Sequence, residues 1–278
     1  MDIKLIATDV DDTLVEGDHI TIPEDNIKAL RRAHDKGVKI AIASGRTGVM
    51  IEDVIDKLGC VDYIVVSSGS VVRELSTEKV IFSNYFKPEV VDKIIDILEE
   101  YKSVYEIYCD NKMITTQFSY DYYDNEVFVP DFKTQLMGYI NIVDNIRCKE
   151  VLEKTEKINI VNLSPEKMDE VEVKLKEIPN LDVIRPYPSY IEMTDSRSNK
   201  AVALGKLCDQ INVTPDEVMC LGDSNNDASM LKWAGYSVAM GNAPDNVKKI
   251  AKYTTDTCEN AGVARTIERF VFNERTGL

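Results

Sequence analysis

The sequence predicts a doubly wound α/β fold, a parallel sheet flanked by helices, interrupted by a second α/β segment. Three observations predict it. Short apolar runs end in clusters of polar residues, helix-period patterns separate them, and the middle of the chain follows a different order of elements. The first run, residues 3–9, ends in carboxylates, as a buried parallel strand does when its C-terminal end carries chemistry. Glu24–Lys36 then places Ile27, Leu30 and Ala33 at helical spacing, with Gly37 as a stop. Val38–Ala43 reads as the second strand and ends at Ser44-Gly45, and Tyr63–Val66 reads as the third and ends at Ser67-Ser68-Gly69.

Pro88–Tyr101 is an amphipathic helix pattern, followed by strands Val104–Tyr108 and Met113–Thr116 around a turn at Asp110-Asn111. Lys157–Leu163 reads as a strand, Pro165–Ile178 as a helix, and Leu181–Arg185 with Tyr190–Met193 as a closing strand pair. Residues 85–188 are therefore expected to form an inserted second domain, with 1–84 and 189–278 together making the core. The last core strand, Val218–Leu221, ends at Gly222-Asp223. In open sheets of this kind ligands bind beyond the carboxyl ends of the strands, which is where these polar clusters fall.

With 278 residues, 44% of them hydrophobic and 29% charged, the chain has the composition of a globular protein large enough to bury a sizeable core. Its formal net charge of −15 argues against broad binding to nucleic acid or to an anionic membrane, both of which need a basic surface. No apolar run is long enough to span a bilayer, and the opening residues are too short a stretch for a signal peptide, so a cytoplasmic location is the expectation. Six scattered cysteines, with no Cys-x-x-Cys pair, point to buried free thiols rather than disulfides or zinc. An acidic protein that handles phosphate needs a metal ion and well-placed donors at its site.

Asp9-Val10-Asp11-Asp12-Thr13-Leu14 is the most informative stretch, because an extended strand end turns positions i and i+2 the same way. Asp9 and Asp11 are thus expected to share one pocket. Two carboxylates held close require a cation, a shared proton, or both, a division that suits a nucleophile and an acid/base. Taken alone, the stretch is equally an Asp-rich turn that caps the next helix. Gly222-Asp223-Ser224-Asn225-Asn226-Asp227 follows an apolar strand and opens a helix. Its oxygen ligands suit hard magnesium, with Asp223 as the metal ligand and Asp227 in support, although a turn with an N-cap has the same appearance. Ser44 and Gly45 offer a hydroxyl and an amide to a phosphoryl oxygen. Lys200 opens a helix where the chain would return to the core, placed either to neutralise a transferring phosphoryl group or simply to be solvated.

In order, these four segments resemble the motifs of the haloacid dehalogenase-like (HAD) phosphatase superfamily, whose core is Rossmann-like. The tail, Val238-Ala239-Met240-Gly241-Asn242-Ala243 with Gly262-Val263-Ala264, resembles its Cof-like branch, in which a large α/β cap comes after the second motif. The resemblance implies Asp9 as nucleophile, Asp11 as general acid/base, Thr13 and Ser44 as phosphate-positioning residues, and Lys200 as charge stabiliser. It also implies magnesium bound by Asp223, Asp9 and the Asp11 carbonyl, Asn226 on the phosphate, and Asp227 orienting Lys200 or metal-bound water. Asp12 stands where glycine is commonest, Ala201 where glycine is common, and Ala261 where an acidic residue is usual, and none of these removes a reacting group.

The resemblance thus implies a magnesium-dependent phosphatase acting on a small phosphorylated metabolite, foremost a sugar phosphate, through an aspartyl phosphate. A phosphomutase or phosphotransferase using the same intermediate, and a non-catalytic phosphometabolite sensor, are the alternatives. The aromatic segment Ser119–Asp124 could stack on a sugar or nucleoside but reads foremost as packing, and Arg185, Tyr187 and Tyr190 either line the cleft or join the domains; all are kept out of the site.

Overall fold

The computed structural model describes residues 2–123 and 129–274. Asp124, at the end of the aromatic segment, lies outside them. Along the chain, β1 (Leu5–Thr8), α1 (Glu24–Asp35), β2 (Lys39–Ala43), α2 (Glu52–Leu58) and β3 (Tyr63–Val66) are followed by the hairpin β4 (Val71–Glu74) and β5 (Val80–Ser83). Next come α3 (Pro88–Glu100), β6 (Val104–Cys109), β7 (Lys112–Thr115), α4 (Gln117–Asp121), α5 (Pro130–Tyr139), β8 (Ile140–Ile142), α6 (Lys149–Lys154), β9 (Thr155–Asn162), α7 (Pro165–Lys176), β10 (Leu181–Tyr187) and β11 (Tyr190–Asp195). The chain closes with α8 (Lys200–Ile211), β12 (Val218–Gly222), α9 (Ala228–Trp233), β13 (Tyr236–Ala239), α10 (Asp245–Lys248), β14 (Tyr253–Thr254) and α11 (Gly262–Phe270).

These elements form two compact units, residues 1–46, 51–83 and 199–278 in one and residues 47–50 and 84–198 in the other. The first holds an eight-stranded sheet of order β14-β13-β12-β1-β2-β3-β4-β5, parallel from β14 to β3, with the β4–β5 hairpin antiparallel at one edge. Its central strands are buried on both faces, which is why they read as continuous apolar runs. Leu5, Ala7, Ala41 and Ala43 pack with Leu204, Leu207, Met230 and Leu231 from α8 and α9. Ile6, Ile40 and Ile42 alternate to the opposite face, where α1 lies against α11. This is the expected doubly wound core. The hairpin was not anticipated, and it extends the sheet where a parallel strand would have needed a crossover helix.

The second unit is a six-stranded sheet of order β10-β11-β9-β6-β7-β8. One face of it, carrying Tyr105, Ile107, Ile158, Ile160, Ile191 and Met193, packs with Ile94, Ile95 and Leu98 of α3 and Met168, Val171 and Leu175 of α7. The expected return to the core at residue 188 is ten residues early, because β11 is hydrogen bonded between β10 and β9, with Glu192 opposite both Ile184 and Asn159. All six cysteines are free thiols, five of them buried and Cys148 half-buried. Among the described residues no helix is long and apolar enough to cross a membrane.

Candidate active site

In the sheet order β12-β1-β2, three strands end side by side, and the segments that leave them carry Asp223, Asp9 and Ser44. Asp9 continues the ladder, its N–H donating to Leu221 O at 3.0 Å, and its side chain is buried. The chain then turns sharply, and the N–H groups of Thr13, Leu14 and Val15 all donate to Val10 O at 3.3, 2.9 and 2.9 Å. Asp12 sits in the left-handed region at φ 55°, an angle Asp tolerates better than most residues.

Lys200, at the start of α8, is the cation of the site, and its side chain has no exposed surface. Its Nζ donates to Asp9 Oδ1 and to Asp227 Oδ1, both at 2.6 Å, and to Asn226 Oδ1 at 3.4 Å. Two local features hold it there. The Asn199 side chain caps α8 by accepting from Val202 N at 3.0 Å, and Gly69, at φ 97°, leaves room for that helix end. A Cβ on Gly69 would overlap the Asn199 carbonyl and lie 2.8 Å from Lys200 N.

Asp227 is fully buried, and its second oxygen accepts from the N–H groups of Asp223 and Ser224, each at 3.0 Å. A carboxylate so occupied on both oxygens anchors its neighbours rather than facing a ligand. Gly222 permits the arrangement, since a Cβ there would lie 2.5 Å from Asp227 Cγ. Asp223 accepts from Thr13 Oγ1 at 2.8 Å, which ties the loop after β1 to the loop after β12. Asp9, Asp223 and Asp227 can each bring a carboxylate oxygen to within 4.8 Å of the others.

Burial and this crowding of negative charge set the ionisation of the group. Burial, then the Asp227 charge, pushes the Asp9 carboxyl well above its usual range despite Lys200. The same two causes push Asp223 up to about 7. Burial works against the Lys200 ammonium, but the Asp227 and Asp9 carboxylates outweigh it and hold the ammonium charged. A cluster of hard oxygen donors with more negative than positive charge fits a hard divalent cation.

Asp11 is the departure from expectation. Its carboxylate contributes no oxygen to that cluster. Instead Asp11 Oδ2 accepts from Arg46 Nε at 3.0 Å, and Oδ1 pairs with the other arm of the Arg46 guanidinium and lies 2.7 Å from His19 Nδ1. Burial would raise its pKa, but the Arg46 charge and the hydrogen bonds from His19 and Arg46 override burial and hold the carboxyl well below the usual range. Asp9 and Asp11 are close enough for Asp11 to raise Asp9, yet each has its own cation in place of a shared proton. Neither Arg46 nor His19 was singled out from the sequence. The available signal was Arg46 two residues after Ser44, at the end of β2.

Ser44 is buried, its N–H donating to Val65 O at 2.8 Å and its Oγ accepting from Arg46 N at 3.1 Å. Gly45 comes next on the same turn, and Asn226 is exposed beside Lys200.

With this geometry in place, the chain matches the description of haloacid dehalogenase-like hydrolases across residues 6–267. The chain belongs to the haloacid dehalogenase-like hydrolase family. It is 31% identical over 271 residues to the 5-amino-6-(5-phospho-D-ribitylamino)uracil phosphatase YcsE of Bacillus subtilis, covering 98% of this chain and 97% of the relative. Among solved structures, a haloacid dehalogenase-like hydrolase from Bacteroides thetaiotaomicron superposes with a TM-score of 0.84 at 28% identity, over 96% of this chain and 99% of that one. A HAD subclass IIB sugar phosphatase superposes with a TM-score of 0.77 at 26% identity, over 96% and 98%. As in those HAD-like hydrolases, the first unit is the core of the enzyme and the second is its inserted α/β cap.

Proposed function

We propose that this HAD-type phosphoric monoester hydrolase is a magnesium-dependent phosphatase that releases phosphate from a small, hydroxyl-rich metabolite, a sugar phosphate or its polyol counterpart, through a phosphorylated Asp9. The observation that carries the reading is the buried Lys200 bridging Asp9 and Asp227 at 2.6 Å, with Asp223 alongside. Asp9 attacks phosphorus as the bond to the leaving oxygen breaks, and Lys200 offsets the charge on the phosphoryl oxygens. Thr13, Ser44, Gly45 and Asn226 supply donors that position the phosphoryl group. Asp9 and Asp223, with the Asp11 carbonyl, would hold the magnesium, whose contribution when bound is fixed positive charge against those oxygens.

Asp11 protonates the leaving alkoxide and then, as a carboxylate, takes the proton of the water that attacks the aspartyl phosphate. The described state, with Asp11 on Arg46 and His19, suits the second role. For the first role Asp11 takes up a proton, and His19 stands one hydrogen bond away to pass it.

Support for a hydroxyl-rich leaving group comes from the relatives. The two phosphatases named among the relatives carry the names of a ribitylaminouracil phosphate and of sugar phosphates, which disfavours the mutase and sensor readings.

The test is phosphate release from a panel of sugar phosphates, polyol phosphates, nucleotides and phosphoglycolate, with and without magnesium, beside Asp9→Asn. Release that requires both magnesium and Asp9, and is fastest on the polyol and sugar esters, is expected. Turnover undiminished in Asp9→Asn would overturn the mechanism.

A further inference from the structure

The tail around Gly241-Asn242-Ala243 holds none of the groups given a catalytic or binding role, yet it reaches the loop that carries them. Asn242 Nδ2 donates to Asp12 O at 2.7 Å, and Asn242 Oδ1 accepts from Cys258 N at 3.1 Å. A second asparagine mirrors it from the other side. Asn26, fully buried, accepts from Ala264 N at 2.9 Å and donates from Nδ2 to Leu14 O at 3.4 Å. The carbonyls on either side of Thr13 are thus each tied, through one side-chain amide, to the main chain of the C-terminal segment.

Position 12 is where such a tie has the most to do. Asp12 adopts φ 55° without being glycine, a conformation that Asp tolerates but that still carries a cost, so bonds to its neighbours help to hold it. Its carbonyl orients the peptide plane between Asp12 and Thr13, and Thr13 bonds Asp223. On the other side of it, Asp11 reaches Arg46 and His19. A rotation of that plane would move both side chains together.

We propose that Asn242 is a positioning residue: by holding the Asp12 carbonyl it keeps Asp11 and Thr13 in register with Asp9 and Asp223, and the C-terminal segment acts as a brace for the loop after β1. This rests on the phosphatase reading only for its kinetic readout.

The test compares Asn242→Ala with the wild type and with Val247→Ala, a cavity-forming control in the same unit at a fully buried position outside the site. Asn242 is exposed, so its truncation leaves the fold intact. Two measurements are made. Hydrogen exchange followed by mass spectrometry on the peptide spanning residues 9–16 needs no activity, and that peptide contains the Thr13, Leu14 and Val15 amides bonded to Val10 O. Exchange should accelerate roughly tenfold or more there in Asn242→Ala and not in Val247→Ala. Hydrolysis of p-nitrophenyl phosphate with magnesium should show kcat falling roughly tenfold, with KM changed by less than about threefold, because misplacement rather than lost binding is the defect. Unchanged exchange in 9–16 would refute the brace, as would a kcat within about twofold of the Val247→Ala control. If the wild type releases no phosphate, the phosphatase reading fails and the exchange experiment still decides the brace.

Discussion

Replacing Lys200 by Met removes one charge from a place where two carboxylates depend on it. The Lys200 and Asp227 side chains have no exposed surface and that of Asp9 is 6% exposed, so water cannot take over the lost role. Met keeps the unbranched length, so packing changes little. Breaking a buried pair by deleting one partner costs about 3–5 kcal/mol. At about 2 °C per kcal/mol for a domain of this size, the thermal midpoint in magnesium-free buffer with chelator should fall by roughly 6–10 °C at pH 8.

The pH dependence has a definite sign. The raised pKa of Lys200 gives stability that is fully present below the ordinary lysine range and lost only as pH rises through the raised value, so between pH 5 and 8 its contribution is constant. The carboxyls run the other way. The raised Asp9 and Asp223 favour the neutral form, so that stability is present below the usual carboxylate range and lost as pH rises, for Asp223 through about 7. As pH falls Asp9 and Asp223, whose carboxyls are raised, take up protons before ordinary carboxylates do and leave less negative charge for Lys200 to balance, so the variant's penalty should be smaller at pH 5 than at pH 8. Thermal unfolding of both proteins at pH 5, 6.5 and 8 measures this. A penalty that grows toward pH 5, or an unchanged midpoint at pH 8, would refute the account of the cluster.

The same geometry carries three further outcomes. Magnesium should raise the wild-type midpoint, by about 2.7 kcal/mol of stabilisation at a hundredfold excess over its dissociation constant, and Asp223→Asn should abolish most of that gain in a thermal-shift titration. Arg46→Gln should let the Asp11 carboxyl rise toward its ordinary range. The stability from its depressed pKa is present above that range and lost as pH falls through the depressed value, so the variant should lose about 1–2 kcal/mol in urea unfolding at pH 7 and progressively less as pH falls below about 4, a modest figure because Asp11 is about one-third exposed. Gly69→Ala should push the start of α8 away, costing about 1–3 kcal/mol and lowering kcat at least tenfold through Lys200, as read by calorimetry beside steady-state kinetics.

How much of this was legible depended on whether a residue's role is set locally. Asp9, Ser44 and Asp223 stand at the ends of apolar runs, and in a parallel sheet the ends of neighbouring strands converge whatever their separation in sequence, so the positions alone placed them together. Lys200 was visible as the opening residue of a helix, but nothing in sequence spacing says that its ammonium is buried against Asp227, since that depends on Gly69 leaving room. The pairing of Asp11 with Arg46 and His19 was hidden for a similar reason: the i, i+2 rule turns Asp11 toward the Asp9 pocket, but β1 ends at Thr8 and the chain already turns about the Val10 carbonyl, so the extended geometry on which that rule rests does not reach Asp11. Tyr190–Met193 was recognised as a strand but assigned past the domain boundary, because alternation reports a buried face and not which sheet supplies the neighbours.

The charge count of the core site explains why residue types alone were ambiguous. Asp9, Asp223 and Asp227 bring three negative charges when ionised and Lys200 one positive charge, so the cluster carries a surplus of two, and the two raised carboxyls are the protein's own response to it. Arg46 cannot relieve that surplus, because its guanidinium is committed to Asp11 and to His19 O at 3.0 Å. A turn that merely capped a helix would have no reason to bury such an imbalance, which costs stability unless a ligand completes it. The surplus matches one divalent cation, and a bound cation would return Asp9 to the ionised form that the proposed attack on phosphorus requires. On this reasoning the affinity for magnesium should itself fall as pH drops through about 7, where Asp223 takes up its proton, and a titration showing equal affinity at pH 6 and pH 8 would argue that the ion is held elsewhere.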